Sequence, residues 1–98
     1  MNEISSQDLR KRLANEKLFI LDVRTSLEFT TFNIGGLNIP VQQLNADADE
    51  LEELKSTEII VVCQHGIRSV TAQAILQAGG FKNVKNLLGG LVNFNRIV

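Results

Sequence analysis

The stretch Ile59-Ile60-Val61-Val62-Cys63-Gln64-His65-Gly66-Ile67-Arg68-Ser69 constrains this chain more than any other. Four β-branched apolar residues run without interruption into the sole cysteine. With no polar residue to face solvent, such a run predicts a strand covered on both faces. A loop with one glycine follows, and from Ser69 the positions Val70, Ala74, Ile75 and Ala78 predict one apolar helix face. Strand, tight loop and helix in that order put a sulfur at the carboxyl end of a buried strand, beneath the N–H groups of the loop and of a helix N-terminus. Those groups and the helix dipole favour negative charge, a setting in which thiolates are more populated than in a free cysteine. Cys63 is therefore the candidate nucleophile, and Gln64, His65, Gly66, Ile67, Arg68 and Ser69 are its candidate anion cradle.

Within that cradle the loop N–H groups, more than the side chains, are the expected ligands. Gly66 suits a backbone angle that larger residues resist. Arg68 offers a guanidinium fork to an oxyanion, or support to the thiolate. His65 is the sole histidine, but a Cys-x-His step along a curled loop does not by itself aim the ring at the sulfur. Ser69 is either part of the cradle or a cap for the helix that follows.

The rest of the chain alternates helix and strand. Ser5 or Ser6 caps a first helix carrying Leu9 and Leu13. Lys17 to Val23 reads as a strand around Leu18-Phe19-Ile20-Leu21, and Thr25 with Glu28 has the spacing of a capping box that opens a short helix. Asn33 to Pro40 is a loop feeding a brief extended segment. Val41 to Lys55 reads as a helix, with Leu44, Ala48, Leu51 and Leu54 near one face and Asp47, Asp49, Glu50, Glu52 and Glu53 as a solvated outer face. Gly79-Gly80 ends the helix after the cysteine loop, Val84 to Leu87 forms a last strand, and Gly89-Gly90 opens a terminal turn or helix. The alternation predicts an α/β fold with a mainly parallel sheet and helices on both faces. In such sheets sites form at the carboxyl ends of strands, where Cys63 and Asp22 both fall.

Composition limits the functions open to such a fold. Ninety-eight residues suit one domain, 1–98, with one modest core. The apolar runs are far too short for a membrane-spanning helix, and the N-terminus lacks a basic-then-apolar leader. A lone cysteine makes neither an internal disulfide nor a cysteine-rich metal site, so no metal is expected, and a thiol persists most simply in a reducing cytoplasm. All eleven acids lie between Glu3 and Glu58, whereas Arg68, Lys82, Lys85 and Arg96 are the only charges from Ile59 onward. The cysteine half is thus positive, which suits a small anion, yet four scattered bases without aromatic interleaving make no nucleic-acid footprint.

Taken together, the residues resemble the rhodanese-like single-domain sulfurtransferases. The resemblance rests on Leu21-Asp22-Val23-Arg24 with Glu28-Phe29, on Asn38-Ile39-Pro40, and on Val61-Val62-Cys63 followed by Gly66 and Arg68-Ser69. Gly80-Phe81, Asn83-Val84, Asn86-Leu87 and Gly89-Gly90 complete it, so nearly the whole chain is covered. The family often has His-Ile-Pro-Gly where Asn33-Ile34-Gly35-Gly36 stands, and tryptophan in place of Phe94. Both departures read as changes of packing or turn geometry. The resemblance implies a three-layer α/β/α domain with a five-stranded sheet, a six-residue loop from Cys63 to Arg68, and a persulfide carried on Cys63. Thiosulfate or a protein persulfide would load the sulfur and a nucleophile would remove it, with no cofactor involved; the composition itself predicts no membrane or nucleic-acid partner, and a small domain with an ordinary surface is expected to be a monomer. Asp22 would brace the loop from the neighbouring strand end, and Arg24 with Glu28 would form a structural ion pair. Two other functions compete. Cysteine phosphatases of related fold carry Cys-x5-Arg, whereas only four residues separate Cys63 from Arg68 here. A non-catalytic interaction module is the third class.

Overall fold

In the computed structural model, which describes residues 2–96, β4 (Ile59–Val62) is the middle strand of a five-stranded sheet. The others are β1 (Glu3–Ile4), β2 (Phe19–Asp22), β3 (Leu37–Asn38) and β5 (Val84–Leu87), in the order β1-β5-β4-β2-β3. Every pairing is parallel, with Phe19 to Asp22 opposite Ile59 to Val62, and Ile59 to Val61 opposite Val84 to Asn86. Parallel neighbours need crossovers, and these are supplied by α1 (Ser6–Asn15), α2 (Ser26–Thr31), α3 (Leu44–Asp47) with its flanking turns, and α4 (Arg68–Ala78). The last helix is α5 (Gly90–Asn95).

The pleat of β4 divides the core in two. Ile59, Val61 and Cys63 join Leu44, Leu51, Ala72, Leu76 and Phe81 on one face. Ile60 and Val62 join Leu9, Leu87, Leu91 and Phe94 on the other. All four strand residues are fully enclosed, and each such side chain gains about 1.5–3 kcal/mol over exposure. That anchoring fixes the height at which Cys63 leaves the sheet.

Local signals behave as their chemistry requires. The Ser5 hydroxyl accepts from the Asp8 N–H at 3.1 Å, and Thr25 and Glu28 close the expected capping box. After α4 the Phe81 N–H reaches the Leu76 carbonyl and the Gly80 N–H that of Gln77, so the chain turns back with Phe81 packed in the core.

Three readings are corrected. Val41–Lys55 is not one helix: a 3-10 turn at Val41–Gln43 leads into α3, and Ala48–Leu54 continues as 3-10 helix. The apolar positions Ala48, Leu51 and Leu54 recur every three residues, the period of a 3-10 turn. Crowded acids add no support for a longer α-helix. The buried face of α4 is Ser69, Ala72 and Leu76, while Val70, Ala74 and Ala78 are exposed. Two polar residues near that face mislead the pattern: Ser69 is hydrogen-bonded in the site, and Gln73 donates to the Val84 carbonyl. Finally, β1 is a strand that the sequence pattern misses. It is held by main-chain bonds to β5, with the Leu88 N–H donating to the Ile4 carbonyl at 3.0 Å.

Candidate active site

Cys63 follows β4 directly and sits at the base of the loop that climbs to α4. The Gly66 N–H donates to its Sγ at 3.1 Å and the Ser69 N–H at 3.3 Å. Gly66 adopts φ +90°, which turns its amide back toward the sulfur at little steric cost. The second bond has a further cause. Ile67 stands at the N-cap of α4 and has no side-chain acceptor for the first turn. Sγ takes the place of the missing cap oxygen on the second residue of the helix. The sulfur is therefore held where the N-terminal charge of α4 is felt. It is also enclosed, Cys63 being only 1% exposed. The loop curls over its own nucleophile.

The loop is clamped from the far side by α5. The Leu91 N–H donates to the Cys63 carbonyl at 2.9 Å and the Val92 N–H to the Gln64 carbonyl at 3.0 Å. Gly90 makes the approach possible, since a Cβ there would meet the backbone of Gln64 and Gly66.

Two ion pairs brace the loop from its other edges. Asp22, at the end of β2, is buried beside Arg24, itself 2% exposed. The guanidinium donates from Nε and Nη2 to the carboxylate, the latter at 2.7 Å, and Nη2 also reaches the Phe32 carbonyl. Its third nitrogen lies 3.4 Å from Gln64 Oε1, so Asp22 acts on the loop through Arg24. The second pair joins Arg68 to Glu28 in a two-pronged contact at 2.7 and 2.9 Å. Arg24 with Glu28 is therefore the wrong pairing: each arginine takes the other available carboxylate, because Asp22 lies two residues from Arg24 on the same buried strand end.

This arrangement also corrects the positive site. Arg68 does not hold its fork free for an anion, since Glu28 occupies it. Likewise Lys85 is bound by Glu58 at 2.6 Å. Two of the four bases of the cysteine half are thus paired with acids from the other half, and an incoming anion at the loop would meet backbone N–H groups. His65 is exposed and takes no part in the hydrogen bonds among the described residues. Ile67 is 76% exposed at the crest of the loop. Ser69 does not cap α4: its hydroxyl lies 3.3 Å from Sγ and donates to Asn86 Oδ1. Beside the loop lies a groove of about 450 Å³ bordered by Leu27, Phe32, Gln64 and Asn95, with Leu27 74% exposed.

Residue-by-residue reading missed the Glu28 contact, the Asn86 contact and the Gly90 clamp. Asn86 carried a signal, as an amide within an otherwise buried strand end. Glu28 did not, because its capping role already accounted for it.

The pair at the loop mouth has a pH signature. The Arg68 guanidinium, helped by the Thr25 N–H and hydroxyl, holds the Glu28 carboxyl down to about 2, and Glu28 in turn raises Arg68. A depressed carboxyl contributes its stability above the unfolded-state value of about 4.3 and loses it as pH falls toward about 2. Both side chains are about one-third exposed, so solvent screens the pair and the effect is modest. Glu28→Gln is expected to lower the urea midpoint at pH 7, with the gap to wild type narrowing below about pH 4 and closing toward about pH 2. A gap unchanged with pH would show that the pair does not titrate this way.

A family model for the Rhodanese-like domain matches residues 5–97. A protein named Sulfurtransferase, from Allochromatium vinosum, is 33% identical over 98 residues, covering 98% of this chain and 90% of that protein. A tRNA uridine(34) hydroxylase from Buchnera aphidicola is 32% identical over 95% of this chain, but the match spans only 31% of that longer protein. Among solved structures, a rhodanese-like domain from Anabaena aligns with TM-score 0.88 at 27% identity, covering 99% of this chain and 75% of that one. A human single-domain sulfurtransferase shares the fold at TM-score 0.85 and 23% identity, over 100% of this chain and 98% of the other.

Proposed function

The chain belongs to the rhodanese-like domain family, and from that premise we propose that it moves a sulfane sulfur from thiosulfate or a persulfide donor to a thiophilic acceptor, with Cys63 as carrier. The observation that supports this most directly is the sulfur's own environment: two backbone N–H groups converge on Sγ at 3.1 and 3.3 Å. Donors of that kind favour negative charge on sulfur, both as a thiolate and as a persulfide anion extending into the loop. In the first half-reaction Sγ attacks the outer sulfur of thiosulfate, the S–S bond breaks, and sulfite leaves with the electron pair. In the second, the acceptor attacks the terminal sulfur and Sγ leaves as thiolate. Such a covalent intermediate gives ping-pong kinetics.

Arg68, held by Glu28, is not free to grip a phosphoryl group, which counts against a phosphatase. Leu27 and Phe32 beside the loop give a protein donor or acceptor an apolar footing. Hydroxylation, named for relatives of which this chain spans a third, is not part of the proposal. No helix among the described residues is long and apolar enough to cross a membrane, and a reducing compartment such as the cytoplasm suits the free thiol.

The test is intact mass after incubation with thiosulfate, wild type beside Cys63→Ser, followed by cyanide. Wild type alone is expected to gain one sulfur, then lose it with release of thiocyanate. If neither thiosulfate nor a protein persulfide loads the wild-type chain, sulfur transfer is wrong and the interaction module becomes the better reading.

A further inference from the structure

The hydrogen bonds beyond Cys63 form a chain with a direction. The Cys63 thiol donates to Ser69 Oγ at 3.3 Å, and the Ser69 hydroxyl donates onward to Asn86 Oδ1. All three residues are buried. Asn86 lies on β5 opposite Val61, with its backbone N–H fixed by the Asn2 carbonyl, so it cannot drift from this place.

The chain as drawn serves the neutral thiol. Once the sulfur gives up its proton it has nothing to donate, and the Ser69 hydroxyl is best used by turning its hydrogen toward the anion. Ser69 Oγ would then present only lone pairs to Asn86 Oδ1, and two acceptors would face each other in a buried site, a costly arrangement. An asparagine escapes it. Its amide presents oxygen on one edge and NH2 on the other within the same envelope, so a half-turn offers Nδ2 to Ser69 Oγ.

We infer that Asn86 is a positioning residue whose side-chain amide turns over when Cys63 becomes anionic, reversing the chain so that Ser69 donates to the sulfur. The inference rests on Cys63 being the reacting sulfur. The charged groups around the loop form closed pairs, Asp22 with Arg24 and Glu28 with Arg68, and His65 is exposed. The buried Asn86 amide can therefore answer a change of charge on Cys63 without disturbing them.

The experiment is the rate of Cys63 alkylation by iodoacetamide across pH, with thermal melting to confirm folding. It needs no sulfur donor, so its outcome is separate from that of the sulfur-loading test. Asn86→Asp keeps the shape and the acceptor but cannot offer the second edge when ionised. It is expected to slow alkylation at pH 7 about tenfold or more, because the reversed hydrogen bond is lost and because a buried carboxylate repels the thiolate. Asn86→Leu releases the Ser69 hydroxyl to face sulfur in both states, and is expected to stay within about threefold of wild type. Ser69→Ala removes the donor and is expected to lose about tenfold. A merely structural Asn86 predicts a severe loss in Leu, which cannot make the amide's hydrogen bonds, and that result would overturn the inference. Should Asn86→Asp fail to fold, the other two variants decide: retained reactivity in Leu with loss in Ala supports the relay, and any other ranking rejects it.

Discussion

Gly90→Ala is expected to dismantle the cysteine loop while leaving the cysteine in place. The new Cβ would stand 2.7 Å from the Gly66 nitrogen and 2.6 Å from the Gln64 carbonyl carbon, and closer still to the Gln64 oxygen. These are backbone atoms, so no rotamer relieves the clash. The position also has φ +67°, where a side chain is strained regardless of space. Overpacking of about 1–3 kcal/mol and backbone strain of about 1–3 kcal/mol together predict a loss of roughly 2–6 kcal/mol. The activity should fall further than the stability. Moving α5 away releases the Cys63 and Gln64 carbonyls from Leu91 and Val92, and a shift near 1 Å in a reacting group can cost about a hundredfold. Sulfur-loading kinetics and urea denaturation on the same sample check both parts. Wild-type loading in a folded Gly90→Ala protein would show that the clamp does not shape the loop.

Asp22→Ala is the second large expected effect, and it acts through the charge left behind. Arg24 is buried and donates to the Asp22 carboxylate through both Nε and Nη2. Truncating one partner of a buried pair costs about 3–5 kcal/mol because the other is stranded. In a chain of this length each 1 kcal/mol moves Tm by about 4–8 °C, so a fall of more than about 10 °C is expected in a melting experiment. Adding Arg24→Met should restore part of it, since the double variant buries no unpaired charge. If the double variant melts no higher than Asp22→Ala alone, the loss came from packing and the ion-pair account fails.

Much of this fold is written in short, local signals. The run from Ile59 to Val62 is apolar on both faces because both faces are covered, and Gly79-Gly80 turns the chain because only the left-handed angle of Gly80 closes that turn. Where a signal is carried by something other than side-chain pattern, the sequence is silent. β1 has two residues and is held by main-chain bonds to β5, so it leaves no periodicity to find. The buried side of α4 includes a serine because the site uses its hydroxyl, and polarity there conceals burial. The candidate site divides in the same way. Cys63 and its loop are contiguous and readable. The groups that set the loop's charge and shape are not: Glu28 lies forty residues from Arg68 and Asn86 seventeen from Ser69. No single sequence records which of several carboxylates an arginine will meet.

The clamp on the loop also sets a clock. Leu91 and Val92 hold the carbonyls of Cys63 and Gln64, yet a ribosome adds them only after the cysteine. At about 5–20 residues per second that interval is roughly one to six seconds. During it the thiol exists on an unfinished chain whose loop has no lid and whose sulfur has no settled pocket. Until α5 has docked, the loop lacks the two main-chain bonds that fix it, so the sulfur's surroundings take their folded form only when that helix arrives.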